Sequence, residues 1–175
     1  LIKITQAQET RTLCILLVTL PACAKQPTLT PSQPGWLSYD IIKKRVHFKL
    51  IATANASNNG YNYNGYYQGN ITLKIPDQWQ LSITLMNQDA NAPHSIILTK
   101  PFDDNEIPDE LTGEFAAIKR AYTDPVFAND SETTTFTVKE GKYWLFCGIK
   151  GHGINGMWIK FVVSSKQQIP QIEFK

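Results

Sequence analysis

The sequence predicts an all-β protein, a Greek-key β-sandwich interrupted by one long acidic insertion. Short segments of alternating apolar and polar residues recur along the chain with turn residues between them, and little of the chain has helical periodicity. The chain has 175 residues, 42% of them hydrophobic, which suffices for one domain with a sizeable core. A net charge of +2 without a basic run argues against a nucleic-acid partner.

The clearest predicted strand runs from residue 45 to residue 54. Every second side chain in this segment is apolar, so these side chains share one face of the strand: Val46, Phe48, Leu50 and Ala52. His47 falls on the opposite face, beside Lys49. This parity predicts a surface histidine and makes His47 a weak candidate for a metal ligand.

Four later strands are expected to form two hairpins. Residues 71–75 and 79–86 both alternate, and the short turn between them begins at Pro76, so we expect the two strands to pair. Residues 133–138 and 143–147 are expected to pair in the same way across a short turn.

Two segments interrupt this strand pattern. Residues 55–70 are rich in Asn and Gly, but their tyrosines predict an ordered, turn-rich crossing rather than disorder. Residues 100–131 form a long connection that is acidic between residues 103 and 114, and residues 115–122 are compatible with a short helix. So long a connection is typical of a functional or family-specific insertion, and an acidic solvated loop is a simpler interpretation than a docking surface.

The first residues have the pattern of an export signal. Basic residues precede an apolar run from residue 13 to 20, which is too short to span a bilayer but fits a signal peptide. The following Leu20-Pro-Ala-Cys23 resembles a lipoprotein cleavage box, in which Cys23 would carry the lipid. Cleavage of a plain secreted protein near Ala22 or Ala24 fits as well. We expect an exported, periplasmic protein, anchored to the membrane through Cys23 or released.

These signals divide the chain into four parts, which are a signal peptide (1–24), a Pro-rich tether (25–40), the β domain (41–168) and a C-terminal tail (169–175). Cys14 and Cys23 fall in the signal peptide, so Cys147 is the one thiol expected in the mature domain. A single thiol in an exported domain has no internal disulfide partner, and metal binding would explain its presence.

The most informative segment lies between the last two predicted strands. Cys147 ends one apolar run, Met157 opens the next, and His152 lies midway in a glycine-rich loop with the spacing C-x4-H-x4-M. Soft sulfur combined with imidazole suits copper, and two histidines, one cysteine and a weak axial methionine form an electron-transfer site. The second imidazole must come from elsewhere in the chain. His94 is a better candidate than His47, which faces the wrong side of its strand.

Other chemistries fit this set of residues less well. Zinc prefers a fourth ligand harder than a thioether. A catalytic cysteine needs a base and an orienting group, and the loop offers Cys147 only His152. Copper oxidases and nitrite reductases need further ligands, commonly histidines beside the cysteine, yet Phe146 and Gly148 flank it and the chain has three histidines. Copper delivery or storage stays open, although such sites tend to be Met-rich and this chain has two methionines.

Three stretches together resemble the sulfocyanins, which are small cupredoxins that carry electrons in respiratory chains. The stretches are Phe146–Trp158, Pro93-His94-Ser95 and Asn62–Thr72. The copper loop and the His-Ser pair are also similar to those of rusticyanin. The sequence differs from these relatives at Lys150, where a proline often precedes Gly-His, and the lysine puts a charge beside the expected site.

This resemblance implies a cupredoxin domain with one type 1 (blue) copper ion, held by His94, Cys147, His152 and Met157. It implies one-electron transfer rather than enzymatic catalysis, by a monomer. Its partners would be redox proteins, a respiratory donor and an acceptor similar to a terminal oxidase. They would approach His152 over the apolar surface around Ile149, Ile154 and Trp158.

Overall fold

The structure is a computed structural model that describes residues 34–103, 105–111, 117–118 and 125–175. Within these residues the chain forms ten β-strands and one 3-10 turn at Ser57–Gly60. In chain order the strands are β1 Leu37–Asp40, β2 Arg45–Ala52, β3 Ile71–Pro76, β4 Gln80–Asn87, β5 Ile96–Thr99, β6 Ala117–Ile118, β7 Ser131–Thr137, β8 Gly141–Phe146, β9 Trp158–Ser164 and β10 Gln171–Phe174.

The strands form two sheets that enclose one main core. The smaller sheet has the order β1-β2-β4-β7, and the larger has the order β10-β3-β9-β8-β5-β6. Both sheets are mixed, because β2 runs parallel to β4 and β3 runs parallel to β9. This architecture confirms the predicted all-β sandwich. No helix in the described part of the chain is long and apolar enough to cross a membrane.

The alternation in β2 has the predicted consequence. The four apolar side chains that share one face are all buried, and the side chains between them are more exposed. His47 lies on the outer face of the smaller sheet, where its Nε2 is 2.8 Å from Thr84 Oγ1. The strand therefore points its histidine away from the core, as its parity predicted.

Both predicted hairpins are wrong. β3 lies in the larger sheet between β10 and β9, whereas β4 lies in the smaller sheet between β2 and β7. β7 and β8 are likewise divided between the two sheets. In each case the short link crosses from one sheet to the other, because two strands that face the same core from opposite sides have the same alternation as two strands that pair.

The sheets include residues from both ends of the described chain. β1 falls within the predicted tether and pairs with β2 from Leu37↔Phe48 to Asp40↔Arg45. β10 falls within the predicted tail and pairs antiparallel with β3. β6, at residues 117–118, pairs with β5, so this part of the helix expected at 115–122 is extended. The rest of that helix lies outside the described residues, as do the predicted signal peptide and Cys23.

The tyrosine-rich crossing is ordered, as predicted. Tyr63 is completely buried, and its hydroxyl donates a hydrogen bond to the backbone oxygen of Ser95. Asn62 is also completely buried, and its amide nitrogen donates to the backbone oxygens of Asn55 and Ser57. The Tyr63 bond fixes the crossing against the segment that carries His94, and the Asn62 bonds hold the crossing itself together.

Candidate metal centre

The candidate site is built on the loop between β8 and β9. Cys147 directly follows β8, and its N–H donates a hydrogen bond to the backbone oxygen of Met157 at 3.0 Å. The N–H of Met157 donates in turn to the oxygen of His152 at 3.0 Å. These two bonds fold the loop back on itself, so residues ten positions apart in the sequence become neighbours.

Two glycines make this fold of the loop possible. Gly156 has φ +96°, which a residue with a side chain rarely adopts. Gly153 packs so closely on the ring of Phe146 that any Cβ at this position would overlap the ring. The loop therefore lies directly on the aromatic side chain that precedes Cys147.

His94 reaches the site through the pairing of β5 with β8. Its backbone N–H and oxygen exchange hydrogen bonds with Val126, at 3.0 and 2.9 Å, just before β5 begins. Within the sheet, Ile97 lies opposite Phe146, which places the start of β5 beside the end of β8. Residues 94 and 147 are thus brought together by sheet register rather than by the loop.

Three potential ligand atoms converge at one end of the sandwich. His152 Nδ1 lies 3.5 Å from Cys147 Sγ and 3.2 Å from His94 Nδ1, and the Sγ lies 3.9 Å from His94 Nδ1. Cys147 and His94 are completely buried, and His152 is 7% exposed. The structure thus brings together three of the four residues that the sequence singles out as ligands.

Asp89 fixes the orientation and tautomer of His94. Its Oδ2 lies 3.2 Å from His94 Nε2, and Thr53 Oγ1 lies at the same distance from that nitrogen. A carboxylate accepts hydrogen bonds, so the ring proton of neutral His94 lies on Nε2 and Nδ1 keeps its lone pair. That lone pair is available on the side of His152 and Cys147.

The electrostatic environment favours neutral imidazoles and an ionised Asp89. Burial lowers the pKa of His94, although the contact with Asp89 partly offsets this effect. Burial and the neighbouring His94 lower the pKa of His152 to about 4. Burial tends to raise the pKa of Asp89, but hydrogen bonds from Asn91 and His94 outweigh it and the pKa lies below its ordinary value.

The Cys147 thiol is completely buried, and polar contacts offset only part of the effect of burial on its ionisation. Burial raises its pKa, whereas contacts with Ser95 and Ile149 act in the opposite direction. Ser95 Oγ lies 4.0 Å from the sulfur and accepts a hydrogen bond from the N–H of Gly148. The thiolate is the form of cysteine that binds a metal ion. The positive charge of the ion would stabilise the thiolate in this buried pocket.

The set of donor atoms is compatible with a type 1 copper site. Two imidazole nitrogens and one sulfur face one another in a buried pocket. Soft sulfur with two imidazoles is the combination that copper prefers.

The sequence analysis also considered Met157 and His47 as ligands, and the structure places these two residues in different environments. Met157 is completely buried and hydrogen-bonded through its backbone to Cys147 and His152, so its role as the fourth ligand stays a prediction. His47 projects from the outer face of the smaller sheet, away from the site. Sequence reasoning missed Asp89; its one signal is a carboxylate that closely follows a predicted strand and precedes His94.

The acidic insertion contacts the loop between β8 and β9, residues 147–157, which we call the metal loop. The N–H of Gly151 donates to the backbone oxygen of Asp109 at 2.8 Å, and the N–H of Leu111 donates to the oxygen of Gly148 at 3.1 Å. Lys150 Nζ lies 3.8 Å from the carboxylate of Asp109. The charge at residue 150 is thus partly balanced by the insertion.

Apolar side chains attach this part of the insertion to the larger sheet. Phe102, Ile107 and Leu111 pack on a buried aromatic cluster next to the metal loop, which consists of Trp144, Phe146 and Trp158. The two tryptophan rings are stacked, with centroids 3.7 Å apart. The described part of the insertion is therefore a packed element with an apolar inner side rather than a free solvated loop.

Comparison with known proteins assigns the chain to a family. The model of the sulfocyanin (SoxE) domain matches residues 32–118 and 122–172. The chain belongs to the sulfocyanin family. A curated sulfocyanin from Sulfolobus acidocaldarius is 26% identical to it over 140 residues, which cover 75% of this chain and 70% of the relative. The resemblance found in the sequence is confirmed.

Solved structures support the fold of this sulfocyanin. Reduced rusticyanin superposes with a TM-score of 0.54 at 23% identity, over 69% of this chain and 79% of rusticyanin. A second structure of the copper protein rusticyanin gives a TM-score of 0.53 at 21% identity, over 69% of this chain and 78% of that one. At this level of identity the likeness shows a shared sandwich architecture.

Proposed function

We propose that this sulfocyanin is an electron carrier with one type 1 copper ion, held by His94, Cys147, His152 and Met157. Bound copper supplies a one-electron Cu(II)/Cu(I) couple and no bond-making chemistry. The observation that supports this proposal most directly is the convergence of His94 Nδ1, His152 Nδ1 and Cys147 Sγ within 4.8 Å of one another in a buried pocket.

The surroundings of the pocket suit an electron carrier because they hold the ligands in place. His94 is held by Asp89, by Thr53 and by its own backbone bonds to Val126. Cys147 and His152 belong to a loop that is tied both to itself and to the insertion. Ligands that cannot move keep the site nearly unchanged when its charge changes, so little energy is needed to reorganise it.

His152 offers the shortest connection between the site and a partner. Its side chain is 7% exposed, whereas His94 and Cys147 are completely buried. Ile154 is 52% exposed in the same loop and Ile149 is half-buried, but Trp158 is only 8% exposed and belongs to the aromatic cluster. The surface available to a redox partner is therefore smaller than the sequence predicted, which fits a brief encounter.

Burial of the proposed ligands favours electron transfer over the alternative function, copper delivery. A delivery site must release its ion to a partner, so its ligands need to be accessible. Here at least two donors are completely buried, and the second methionine of the chain, Met86, lies on the outer face of β4. This arrangement retains a metal better than it transfers one.

A copper titration with visible absorption spectra tests the proposed function. One equivalent of Cu(II) should be bound per chain and should produce an intense blue band from the thiolate. The band should disappear on reduction and return on oxidation without loss of the metal. Binding without an intense band, or rapid loss of copper to a chelator after reduction, would favour delivery or storage.

The location of the protein is part of the proposal. The apolar run at 13–20 supports export to the periplasm, with redox proteins as partners there, and Cys23 is the proposed lipid-bearing residue. Membrane fractionation of cells that produce Cys23→Ser tests the anchor. A variant that stays with the membrane as firmly as the parent would show that Cys23 is not the attachment point.

A further inference from the structure

The turn between β1 and β2 exposes two adjacent isoleucines. Ile41 is 59% exposed and Ile42 is 95% exposed. A single exposed apolar residue is common on protein surfaces, but two neighbouring isoleucines at the tip of a turn leave a continuous apolar patch in water. Neither side chain belongs to the main core, so packing of the core does not explain why isoleucines occupy these two positions.

Three cations follow these isoleucines directly in the sequence. Lys43, Lys44 and Arg45 are all exposed. The carboxylate of Asp40 lies 3.6 Å from Lys43 Nζ and offsets one of the three charges, so two positive charges remain. The turn therefore combines an exposed apolar tip with an excess of cations.

The turn lies at the end of the sandwich opposite the metal site. β2 starts at Arg45 beside the turn, and it ends at Ala52 beside Thr53, which contacts His94. An eight-residue strand extends roughly 25 Å, which is therefore about the distance between the turn and the site along the sheet. The two ends present separate surfaces.

Other charges near the turn do not change its sign. Ile41 and Lys44 line a shallow cavity together with Asp77, Trp79 and Gln167, so the β3–β4 and β9–β10 connections are its neighbours. These connections and the β7–β8 link contribute two anions and two cations among the described residues, namely Asp77, Glu140, Lys139 and Lys166. They cancel, and the excess of cations in the turn remains.

We propose that the Ile41–Arg45 turn docks on an anionic lipid bilayer. The two isoleucines would enter the interfacial region, and the lysines and the arginine would lie against lipid phosphates. The metal end carries both anions and cations, among them Glu106, Glu110 and the Lys150–Asp109 pair, and it would lie away from this surface. The domain would thus stand with its metal site facing away from the membrane, accessible to a soluble partner.

Hydrogen–deuterium exchange on the full chain tests this docking locally. Vesicles of phosphatidylcholine mixed with phosphatidylglycerol should slow exchange at residues 41–45, and vesicles of phosphatidylcholine alone should not. Any contribution of the N-terminal residues to vesicle binding does not itself protect this turn. Added salt should reverse the protection, because exposed charges are screened.

Substitutions make the test specific. Ile41→Ser/Ile42→Ser and Lys43→Gln/Lys44→Gln should each abolish the protection and lower vesicle affinity roughly tenfold or more. Phe127→Ser is the matched control, since Phe127 is 59% exposed but lies in the link after Val126, at the metal end. Equal protection by both kinds of vesicle, or unchanged protection in the two double variants, would overturn the proposal. Protection of residues 41–45 at high protein concentration without vesicles would show that a second copy of the chain covers the turn, and this result would also overturn the proposal.

Discussion

The two ends of the sandwich differ in which side chains they bury and which they expose. At the metal end polar side chains are buried and hydrogen-bonded, among them His94, Asn62, Asn87 and Ser95. At the other end two adjacent isoleucines, Ile41 and Ile42, are exposed, whereas Ile154 and Phe127 are exposed singly at the metal end. The connections between strands at the other end are short turns. Burying a polar group is unfavourable unless it is bonded, and exposing an apolar one is unfavourable in water. Each end thus departs from ordinary packing where a function would explain it.

The difference also concerns how strongly neighbouring residues depend on one another. At the metal end Asn87 bonds to Ala92, Val126 and Asp89, and Asp89 bonds to His94. A change in one of these residues therefore affects a network. At the opposite end the side chain of Ile42 is 95% exposed and, in the described structure, belongs to no such network. We expect large effects of substitution at the first end and small effects on folding at the second.

The largest effect is expected for Cys147→Ser. A hydroxyl is a poor ligand for copper, and the thiolate is the source of the blue band, so the variant should lose the band completely and bind copper much more weakly. Visible spectra and copper analysis measure both quantities. His47→Ala is the control and should keep the spectrum of the parent, because His47 lies on the outer face of the smaller sheet. A blue Cys147→Ser protein would show that another residue supplies the sulfur.

Gly153→Ala should destabilise the protein by about 1–3 kcal/mol and weaken copper binding, because the new methyl group overlaps the ring of Phe146. Urea unfolding with and without copper measures this change. Gly35→Ala is the matched control: no atom lies within 4 Å of the added Cβ, and the change should stay within about 0.5 kcal/mol. Equal stabilities of the two variants would mean that the loop can move away from Phe146 freely.

The metal-free protein should become less stable as the pH falls from about 6.5 to 4. In this range His152 takes up a proton in the unfolded chain but stays neutral in the folded one, because its pKa is lowered to about 4. The unfolded state then binds more protons, so acid favours unfolding by at most about 1.4 kcal/mol per pH unit for this group.

Urea midpoints at several pH values between 7 and 4 measure this dependence. His152→Gln removes the titrating group, so the slope of stability against pH should become smaller, with His94 supplying part of what remains. An identical slope in the parent and the variant would show that His152 is not protonated on unfolding.

Met157→Leu should keep copper and the blue band but raise the reduction potential. A thioether is a weak fourth ligand, and its loss destabilises the oxidised ion more than the reduced one. Potentiometry measures the shift. Met86→Leu is the matched control, because Met86 lies on the outer face of β4 and should leave the potential unchanged. If Met157→Leu loses copper as completely as Cys147→Ser, its assignment as the weak ligand is wrong.

The smallest effect is expected for Asp89→Asn. The amide oxygen can still accept a hydrogen bond from His94 Nε2, but the negative charge beside the site is lost. The oxidised ion carries the larger positive charge, so the potential should rise by less than in Met157→Leu while copper is retained. Glu106→Gln removes an exposed charge and is the control. A lower potential in Asp89→Asn would contradict this role.

The sequence predicted the faces of the strands better than their partners. Alternation in β2 correctly placed Phe48 inside and His47 outside, because parity depends only on the local chain. The pairing of β3 depends on β9 and β10, which lie far away in the sequence, and no local pattern encodes that choice. A short turn is compatible both with a hairpin and with a crossing between sheets.

The site was predictable to a similar extent. The spacing of Cys147 and His152 within one loop carries the chemistry directly, and parity rejected His47 in favour of His94. Asp89 was missed because its importance depends on a turn that bends back toward His94. The contact between Asp109 and Gly151 was missed for the same reason, since it joins segments about 40 residues apart.

The position of β3 between two C-terminal strands has a consequence for biosynthesis. β3 pairs with β9 and β10, so both of its edges stay open until residues 158–174 have left the ribosome. Pairing over such distances along the chain is slow, and open strand edges promote aggregation. The nascent chain should therefore need protection by chaperones until both partner strands of β3 have emerged. Cys147 and His94 meet through the pairing of β5 with β8 in the same sheet, so the metal should be acquired only after this sheet has formed.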